Sequence, residues 1–149
     1  MKKMIMVLAF IAVAISNAAI AGTGGGEVDK RIRKAFEKEY ASAADVKWYV
    51  FNEYTKVDFT LNGMQLVGFY SKEGDLLGVA RNIAFTSLPL MLQIEQRKEY
   101  KDYWITEIYE LSKPDGTRYY LTVENADRVI KLGSTGSDNW EVVRKQEKQ

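Results

Sequence analysis

Apolar and polar residues recur along the chain with two different periods, and each period predicts a different kind of element. Between Val28 and Tyr40 the apolar residues fall on one stripe at helical spacing, while charged residues occupy the opposite side. Asp29 precedes this stripe and can accept hydrogen bonds from the free amides of a first turn. From Val46 onward the period shortens to two, which is the period of strands with one buried face. The pattern therefore predicts a helix from Asp29 to Tyr40, with strands after it.

Four short strands are predicted after this helix. They cover residues 46–51, 54–61, 64–70 and 76–83. Asn62–Gly63 separates the second strand from the third, and this dipeptide favours a two-residue hairpin because both positions accept a positive φ. These residues are therefore expected to form an antiparallel meander beside the helix.

The same order of elements then occurs a second time. A second helix is predicted to begin at Thr86 or Ser87, with Pro89 in its first turn, and to end near Tyr100. Leu90 and its neighbours on the helix point in more than one direction, so this helix is expected to touch more than one neighbour. Four more strands are predicted at residues 103–111, 117–123, 128–132 and 139–143.

The two halves of the chain match at a nearly constant offset. The tripeptide KEY occurs at residues 38–40 and again at residues 98–100, which is a shift of 60 positions. We therefore predict an internal duplication, with repeat unit 1 at residues 28–84 and repeat unit 2 at residues 85–149, in one compact domain. A unit of about 60 residues buries little apolar surface by itself, so sharing a face with a second unit would stabilise both.

The first residues have the features of an export signal. Two lysines precede an apolar run from Met4 to Ile15, and Ala19-Ile20-Ala21 matches the pattern of a cleavage site. We predict a signal peptide at residues 1–21 and a flexible glycine-rich leader at residues 22–27. No Cys follows the apolar run, which excludes a lipid anchor on a cleaved Cys. The mature chain is expected to be periplasmic or secreted, without stable membrane insertion.

The composition removes several kinds of chemistry. The sequence contains no His and no Cys, which excludes imidazole bases, thiol nucleophiles, disulfides and the usual zinc ligands. Without Lys2 and Lys3, 19 basic side chains face 20 acidic ones, so the clustered positive charge of a nucleic-acid-binding protein is missing. We therefore expect no cofactor, no metal site and no nucleic-acid partner.

Four stretches of the sequence together resemble the PepSY-like exported proteins of Bacteroidetes-type bacteria. The stretches are KAFEKEYASAADVKW, YTKVDFTLNGMQLVGFYSKEGDLLG, the LP dipeptide at Leu88–Pro89, and GTRYYLTVENADRVIKL. These proteins are similar in architecture to the β-lactamase inhibitory protein (BLIP). The resemblance covers nearly the whole predicted mature chain and implies an α+β fold class: two tandem helix-plus-four-strand units forming one curved antiparallel sheet with helices on one face. An inhibitory or binding role is implied by analogy.

Strand alternation assigns side chains to the two faces of the predicted sheet. If Val57 and Phe59 face the helix, and Val67 and Phe69 do so in the next strand, the remaining aromatics face away from the helix. Aromatic side chains beside an arginine are typical of protein-binding surfaces, although they also stabilise sheets by pairing across strands. The predicted partner-binding residues are Tyr49, Phe51, Leu66, Tyr70, Arg118 and Tyr120. The tryptophans at positions 48 and 104 are expected to fill the core.

The function favoured by these features is that of an exported, non-enzymatic binding module, such as an inhibitor or adaptor of a periplasmic or secreted protein. The alternative is a small-ligand carrier or sensor with a pocket between the two units. An enzyme would need a pair of carboxylates at a defined separation, and Asp58 with Glu53 or Glu124 is the best candidate. We expect no such activity, because an antiparallel meander brings acidic residues together without any catalytic purpose.

Overall fold

A computed structural model of the chain describes residues 27–134 and 136–149. The predicted signal peptide at residues 1–21 lies outside the described residues, as does the predicted leader except for Glu27. Both assignments therefore stay predictions. Among the described residues, no helix is both long enough and apolar enough to cross a membrane.

The described chain consists mainly of strands. The strands are β1 (Ala44–Val50), β2 (Tyr54–Leu61), β3 (Met64–Ser71), β4 (Leu76–Asn82), β5 (Trp104–Lys113), β6 (Gly116–Glu124), β7 (Arg128–Ser134) and β8 (Trp140–Glu147). The helices are α1 (Lys30–Glu39) and α2 (Leu90–Glu99), and a short 3-10 turn (Phe85–Ser87) precedes α2. The eight strands form one antiparallel sheet in chain order, from β1 to β8.

The predicted fold class, α+β with two tandem helix-plus-four-strand units, is wrong. The described residues form one eight-stranded antiparallel sheet, and the two α-helices among them are only ten residues long each. The helical pattern seen in the sequence is real but short, because each helix stops at a tyrosine, Tyr40 or Tyr100, whose backbone is no longer helical. Hydrogen-bonded strands therefore make up most of the fold, and the protein is mostly β.

Close packing divides the chain into two compact units, the first ending at Arg81 and the second beginning at Asn82. In the first unit α1 begins at Asp29, whose carboxylate accepts a hydrogen bond from the Arg31 amide at 2.8 Å, as an N-cap does. Ile32 and Phe36 of α1 are buried against the sheet. Their neighbours in this core are Val57, Phe59, Leu66 and Tyr70, with Trp48 partly buried at its edge.

In the second unit α2 is fixed to strand β8 by Trp140. The Trp140 indole N–H donates to the Leu92 carbonyl at 2.9 Å, and its backbone N–H donates to the Glu95 carboxylate at 2.7 Å. Leu92 is fully buried in the core below the helix. Leu90 and Met91, on the outer side of α2, are exposed. The buried core of this unit comprises Leu88, Leu92, Ile108, Leu121, Val123, Ile130, Leu132 and Trp140.

The predicted orientation of strand β3 is wrong. Leu61 pairs with Met64 around the hairpin, so Phe59 lies opposite Leu66, and Thr55 lies opposite Tyr70. Directly opposed residues of an antiparallel pair share a face of the sheet, and Phe59 faces α1. Leu66 and Tyr70 therefore lie under α1, and both are buried there.

Candidate protein-binding surface

The sheet face that points away from the helix in each unit is called here the distal face. In the first unit it carries Tyr49, Tyr54, Lys56, Asp58 and Phe69, and Lys56 of β2 lies opposite Tyr49 of β1 and Phe69 of β3. In the second unit it carries Trp104, Glu107, Tyr120, Thr122, Glu124 and Lys131.

Three aromatic rings follow one another on the distal face of the first unit. The Phe51 ring stacks on the Tyr54 ring, with centroids 4.8 Å apart, and the Tyr54 ring lies 6.1 Å from the Phe69 ring. Phe69 and Tyr54 are buried, whereas Phe51 is half-buried. Of these three rings, only that of Phe51 is open enough to touch another molecule.

Lys56 contacts both Tyr49 and Asp58 in the exposed part of the same face. Its ammonium group lies 4.7 Å from the centroid of the Tyr49 ring and 3.4 Å from the Asp58 carboxylate. These distances are those of a cation–π contact and an ion pair. Tyr49 is half-buried, so one part of its ring packs on Lys56 while another part meets solvent.

Tyr120, on the distal face of the second unit, is largely closed to solvent. It is 4 % exposed and lies opposite Gly133 and Tyr109 in the neighbouring strands. A side chain on Gly133 would come within 3.1 Å of the Tyr120 ring, so the glycine leaves the room that this ring occupies. Burial raises the pKa of the Tyr120 phenol, and the neighbouring Arg118 partly opposes this. Arg118 itself is exposed.

Trp104 is the large aromatic side chain that the distal face of the second unit exposes. It is 51 % exposed, so its predicted place in the core is wrong. The indole N–H donates a hydrogen bond of 2.7 Å to Glu124 Oε1. The Lys148 ammonium group lies 5.1 Å from the centroid of the ring and 3.7 Å from Glu124 Oε2. Two charged neighbours thus hold the ring in one orientation.

The structure separates the six predicted partner-binding residues into two groups. Tyr49, Phe51 and Arg118 retain exposed surface. The buried ones are Leu66 and Tyr70, in the core below α1, and Tyr120, on the distal face. The predicted outward orientation of Leu66 and Tyr70 is therefore wrong, while a binding role for the exposed residues stays a prediction.

Tyr70 carries a buried hydroxyl group that has no hydrogen-bond partner among the described residues. Burial, together with the nearby Tyr40 and Glu39, raises the pKa of this phenol far above its ordinary value. A buried polar group without a partner is destabilising because it has lost its hydrogen bonds to water.

We therefore expect Tyr70→Phe to raise the free energy of unfolding by about 1 kcal/mol, because the ring keeps its packing and the unpaired hydroxyl is removed. Tyr120→Phe is the matched control, since the Tyr120 hydroxyl interacts with the neighbouring Arg118 and that interaction would be lost. Urea denaturation measures both changes. A loss of stability in Tyr70→Phe as large as in Tyr120→Phe would contradict this assignment.

Lys131 is a lysine in the middle of the second unit's distal face. It is 6 % exposed and lies opposite Thr122 of β6 and Arg144 of β8. Burial lowers its pKa from the ordinary value of 10.5 to about 8; Glu107 acts in the opposite direction and Arg144 adds to the lowering. The distal face therefore holds a positive charge at neutral pH that the protein stabilises only in part.

Asp58 and Glu53, the first-unit carboxylates considered for catalysis, each pair with a lysine. Asp58 lies 3.4 Å from Lys56, and Glu53 lies 3.8 Å from Lys72. Within residues 27–134 and 136–149, no three carboxylates come together in a way that could hold a metal ion.

No protein-family model matches the chain, and no curated protein matches it. Solved structures with the same fold do match. They place the chain in the class of proteins with a BLIP-like fold. This confirms the predicted similarity in architecture to BLIP. The PepSY-like assignment and the internal duplication are not tested by these matches, and both stay predictions.

Three of the matching structures come from Bacteroides species. A candidate periplasmic protein of Bacteroides eggerthii has a TM-score of 0.70 and 17 % identity, covering 82 % of this chain and 90 % of that chain. A DUF2874 family protein of Bacteroides uniformis has a TM-score of 0.69 and 16 % identity, covering 81 % and 90 %. A BLIP-like protein of Bacteroides fragilis has a TM-score of 0.65 and 19 % identity, covering 84 % and 89 %. At such identities the likeness shows the fold alone.

Proposed function

We propose that this chain is an exported, non-enzymatic module that binds a periplasmic or secreted protein through its distal face. The observation that carries the proposal is Trp104, a tryptophan that is half exposed and held in one orientation by Glu124 and Lys148. An inhibitor or an adaptor would both use such a surface.

A fixed, exposed tryptophan is well suited to binding another protein. Tryptophan is enriched among the few residues that carry most of the binding energy of an interface. Ordering a side chain when a complex forms costs about 0.5–1.5 kcal/mol, and a ring that is already held avoids much of this cost. The 2.7 Å bond to Glu124 supplies that order in the free protein.

The first unit adds a smaller contact surface of the same kind. Tyr49 and Phe51 each keep part of their ring exposed, and each is supported from one side, by Lys56 and by Tyr54. Arg118 is an exposed cation of the second unit's distal face. We propose that Trp104 is the main anchor of the second unit, to which Arg118 adds a contact, and that Tyr49 and Phe51 form the contact surface of the first unit.

Two further observations support export and the absence of catalysis. The N-terminal sequence predicts a signal peptide, and one protein of similar fold is a candidate periplasmic protein. The sequence has no His and no Cys, and Asp58 and Glu53, the acidic residues weighed for catalysis in the first unit, are paired with lysines. These features favour recognition of a partner over turnover of a substrate.

The proposal is tested by capture of a partner with immobilised protein. The bait is the predicted mature chain, residues 22–149, as wild type, Trp104→Ala or Leu90→Ala, each shown to be folded by circular dichroism. Leu90 is the matched control because it is 68 % exposed but lies on helix α2, away from the distal face. We expect one partner to be retained near-stoichiometrically by the wild type and by Leu90→Ala, and to be lost from Trp104→Ala.

Two outcomes would contradict the proposal. Capture of nothing from periplasmic or secreted extracts by the wild type would remove the support for a protein partner. Equal retention of the partner by Trp104→Ala and the wild type would show that this side chain is not the anchor.

A further inference from the structure

Trp104, Glu124 and Lys148 together have the arrangement of a small cation-binding site whose occupant is a lysine of the same chain. The ammonium group of Lys148 lies over the face of the Trp104 ring, 5.1 Å from its centroid. It also lies 3.7 Å from Glu124 Oε2. An aromatic face and a carboxylate both attract a positive charge.

The Trp104 ring and the Glu124 carboxylate, which form this site, are held more firmly than the lysine that occupies it. Glu124 Oε1 accepts the 2.7 Å hydrogen bond from the Trp104 indole, so ring and carboxylate fix each other's orientation. The distance of 3.7 Å between Lys148 and Glu124 is longer than a hydrogen bond. Such a pair at the surface contributes about 1 kcal/mol or less, so another cation can compete with Lys148.

The position of Lys148 in the chain also favours its release. It follows Glu147, the last residue of β8, and its backbone N–H donates to the Asp127 carbonyl at 2.7 Å. The side chain can therefore leave the ring without breaking a bond of the sheet. Lys56 in the first unit differs, because it lies in the middle of β2 with its ammonium group 3.4 Å from Asp58.

We propose that Trp104 and Glu124 form a recognition site for an alkylammonium or guanidinium group, supplied by a lysine or arginine side chain of the partner, and that Lys148 fills this site in the free protein. This inference rests on the proposed function for the source of the cation. The site itself can be tested without any partner. Binding of a partner would then exchange Lys148 for a cationic side chain of the partner at the ring.

The test uses n-butylammonium, which has the shape and charge of a lysine side chain, with the variant Lys148→Ala. Binding is followed by the ¹H–¹⁵N NMR signal of the Trp104 indole, which is assigned by its loss in Trp104→Ala. We expect a saturable shift of this signal in Lys148→Ala, with an affinity about three- to fivefold higher than in the wild type, since a competing contact of about 1 kcal/mol or less has been removed. Lys145→Ala, which removes an exposed lysine from the same strand, is expected to behave like the wild type.

Two further comparisons separate recognition of charge from loose apolar binding. Glu124→Gln in the Lys148→Ala background keeps an oxygen that can accept the indole hydrogen bond but removes the negative charge, and we expect binding to fall to the wild-type level or below. The neutral alcohol 1-butanol is expected not to shift the indole signal.

The inference is overturned if Lys148→Ala binds n-butylammonium no better than Lys145→Ala does, or if Glu124→Gln leaves the binding unchanged. Because no partner protein takes part, such a result would leave the capture experiment with Trp104→Ala unaffected. Conversely, failure to capture a partner would leave the result of the n-butylammonium titration unaffected.

Discussion

Replacement of Phe69 by alanine is expected to lower the free energy of unfolding by about 3–5 kcal/mol, the usual cost of removing a buried phenyl ring. Phe69 is 0 % exposed, although it lies on the distal face and not under helix α1. Its ring lies beside that of Tyr54 and is opposed by Lys56 and Gly78 in the flanking strands. Urea denaturation measures the change, and Phe51→Ala, which truncates a half-buried ring, is expected to cost about 1 kcal/mol.

A double-mutant cycle tests on which face Phe69 packs. Residues in contact show interaction energies of about 0.5–3 kcal/mol, whereas the effects of separated residues add. We expect Phe69→Ala to couple with Tyr54→Ala and to be additive with Phe36→Ala, because Phe36 belongs to the core on the opposite face. Coupling with Phe36 and additivity with Tyr54 would instead restore the orientation predicted from the alternating pattern.

The stability of the protein is expected to rise by about 2 kcal/mol between about pH 7.5 and about pH 9.5, because Lys131 loses its proton more easily in the folded than in the unfolded chain. Burial lowers the pKa of this lysine from 10.5 to about 8. Below about pH 8 both states carry the charge, and the folded state bears the cost of burying it. Between the two pKa values the unfolded chain binds more protons, so stability increases with pH.

The tyrosines limit this rise at higher pH. Burial raises the pKa of Tyr54, Tyr70 and Tyr120 above the ordinary value of 10.0. Each of these phenols stays neutral in the folded protein while it ionises in the unfolded chain. The unfolded chain then loses protons that the folded protein retains, so stability is expected to fall as the pH rises above about 10.

The variant Lys131→Met separates the contribution of the lysine from the other titrations. Its absolute stability depends on how Glu107 and Arg144, both near the lysine, respond to the change. The slope of its free energy of unfolding against pH does not depend on this response. We expect that slope to be close to zero between about pH 7.5 and about pH 9.5. Urea midpoints across this range measure both proteins. A flat or falling profile in the wild type would show that Lys131 is not destabilised by burial.

Much of the fold follows from periodicity. The apolar stripe from Val28 to Tyr40 predicts helix α1, and strict alternation predicts β2, which runs from Tyr54 to Leu61. These local signals identify elements because they report which side of each element meets the core. They do not determine what share of the fold each kind of element supplies, which explains why the α+β class with two helix-plus-four-strand units was predicted wrongly while the elements were placed well.

The misplacement of Leu66 and Tyr70 was avoidable, because the sequence contains the signal that fixes the register. A two-residue turn at Asn62–Gly63 pairs Leu61 with Met64 and therefore Phe59 with Leu66. The prediction instead followed the apolar residues Val67 and Phe69, and β3 has apolar side chains on both faces. Where a strand is buried on both sides, turn geometry decides the register better than hydrophobicity does.

Trp104 was missed for a different physical reason. The pairing of β5 with β6 shifts between Ile105 and Glu107, so one residue is added to β5 at this point. Such a bulge reverses the alternation on one side of it. Trp104 therefore lies opposite Glu124 on the distal face, although continuous alternation from Ile108 would place it in the core. The hydrogen bond to Glu124 joins residues 20 positions apart, which no local pattern reports.

The affinity of Trp104→Ala for the captured partner tests the central claim most directly. Isothermal titration calorimetry with the purified partner would compare the wild type, Trp104→Ala and Leu90→Ala. If the distal face binds the partner through this tryptophan, the dissociation constant of Trp104→Ala rises by at least about 30-fold, which corresponds to about 2 kcal/mol, and that of Leu90→Ala stays within about twofold. Equal affinities of Trp104→Ala and the wild type would contradict the account, and a larger loss in Leu90→Ala would place the binding surface on the helix side of the sheet.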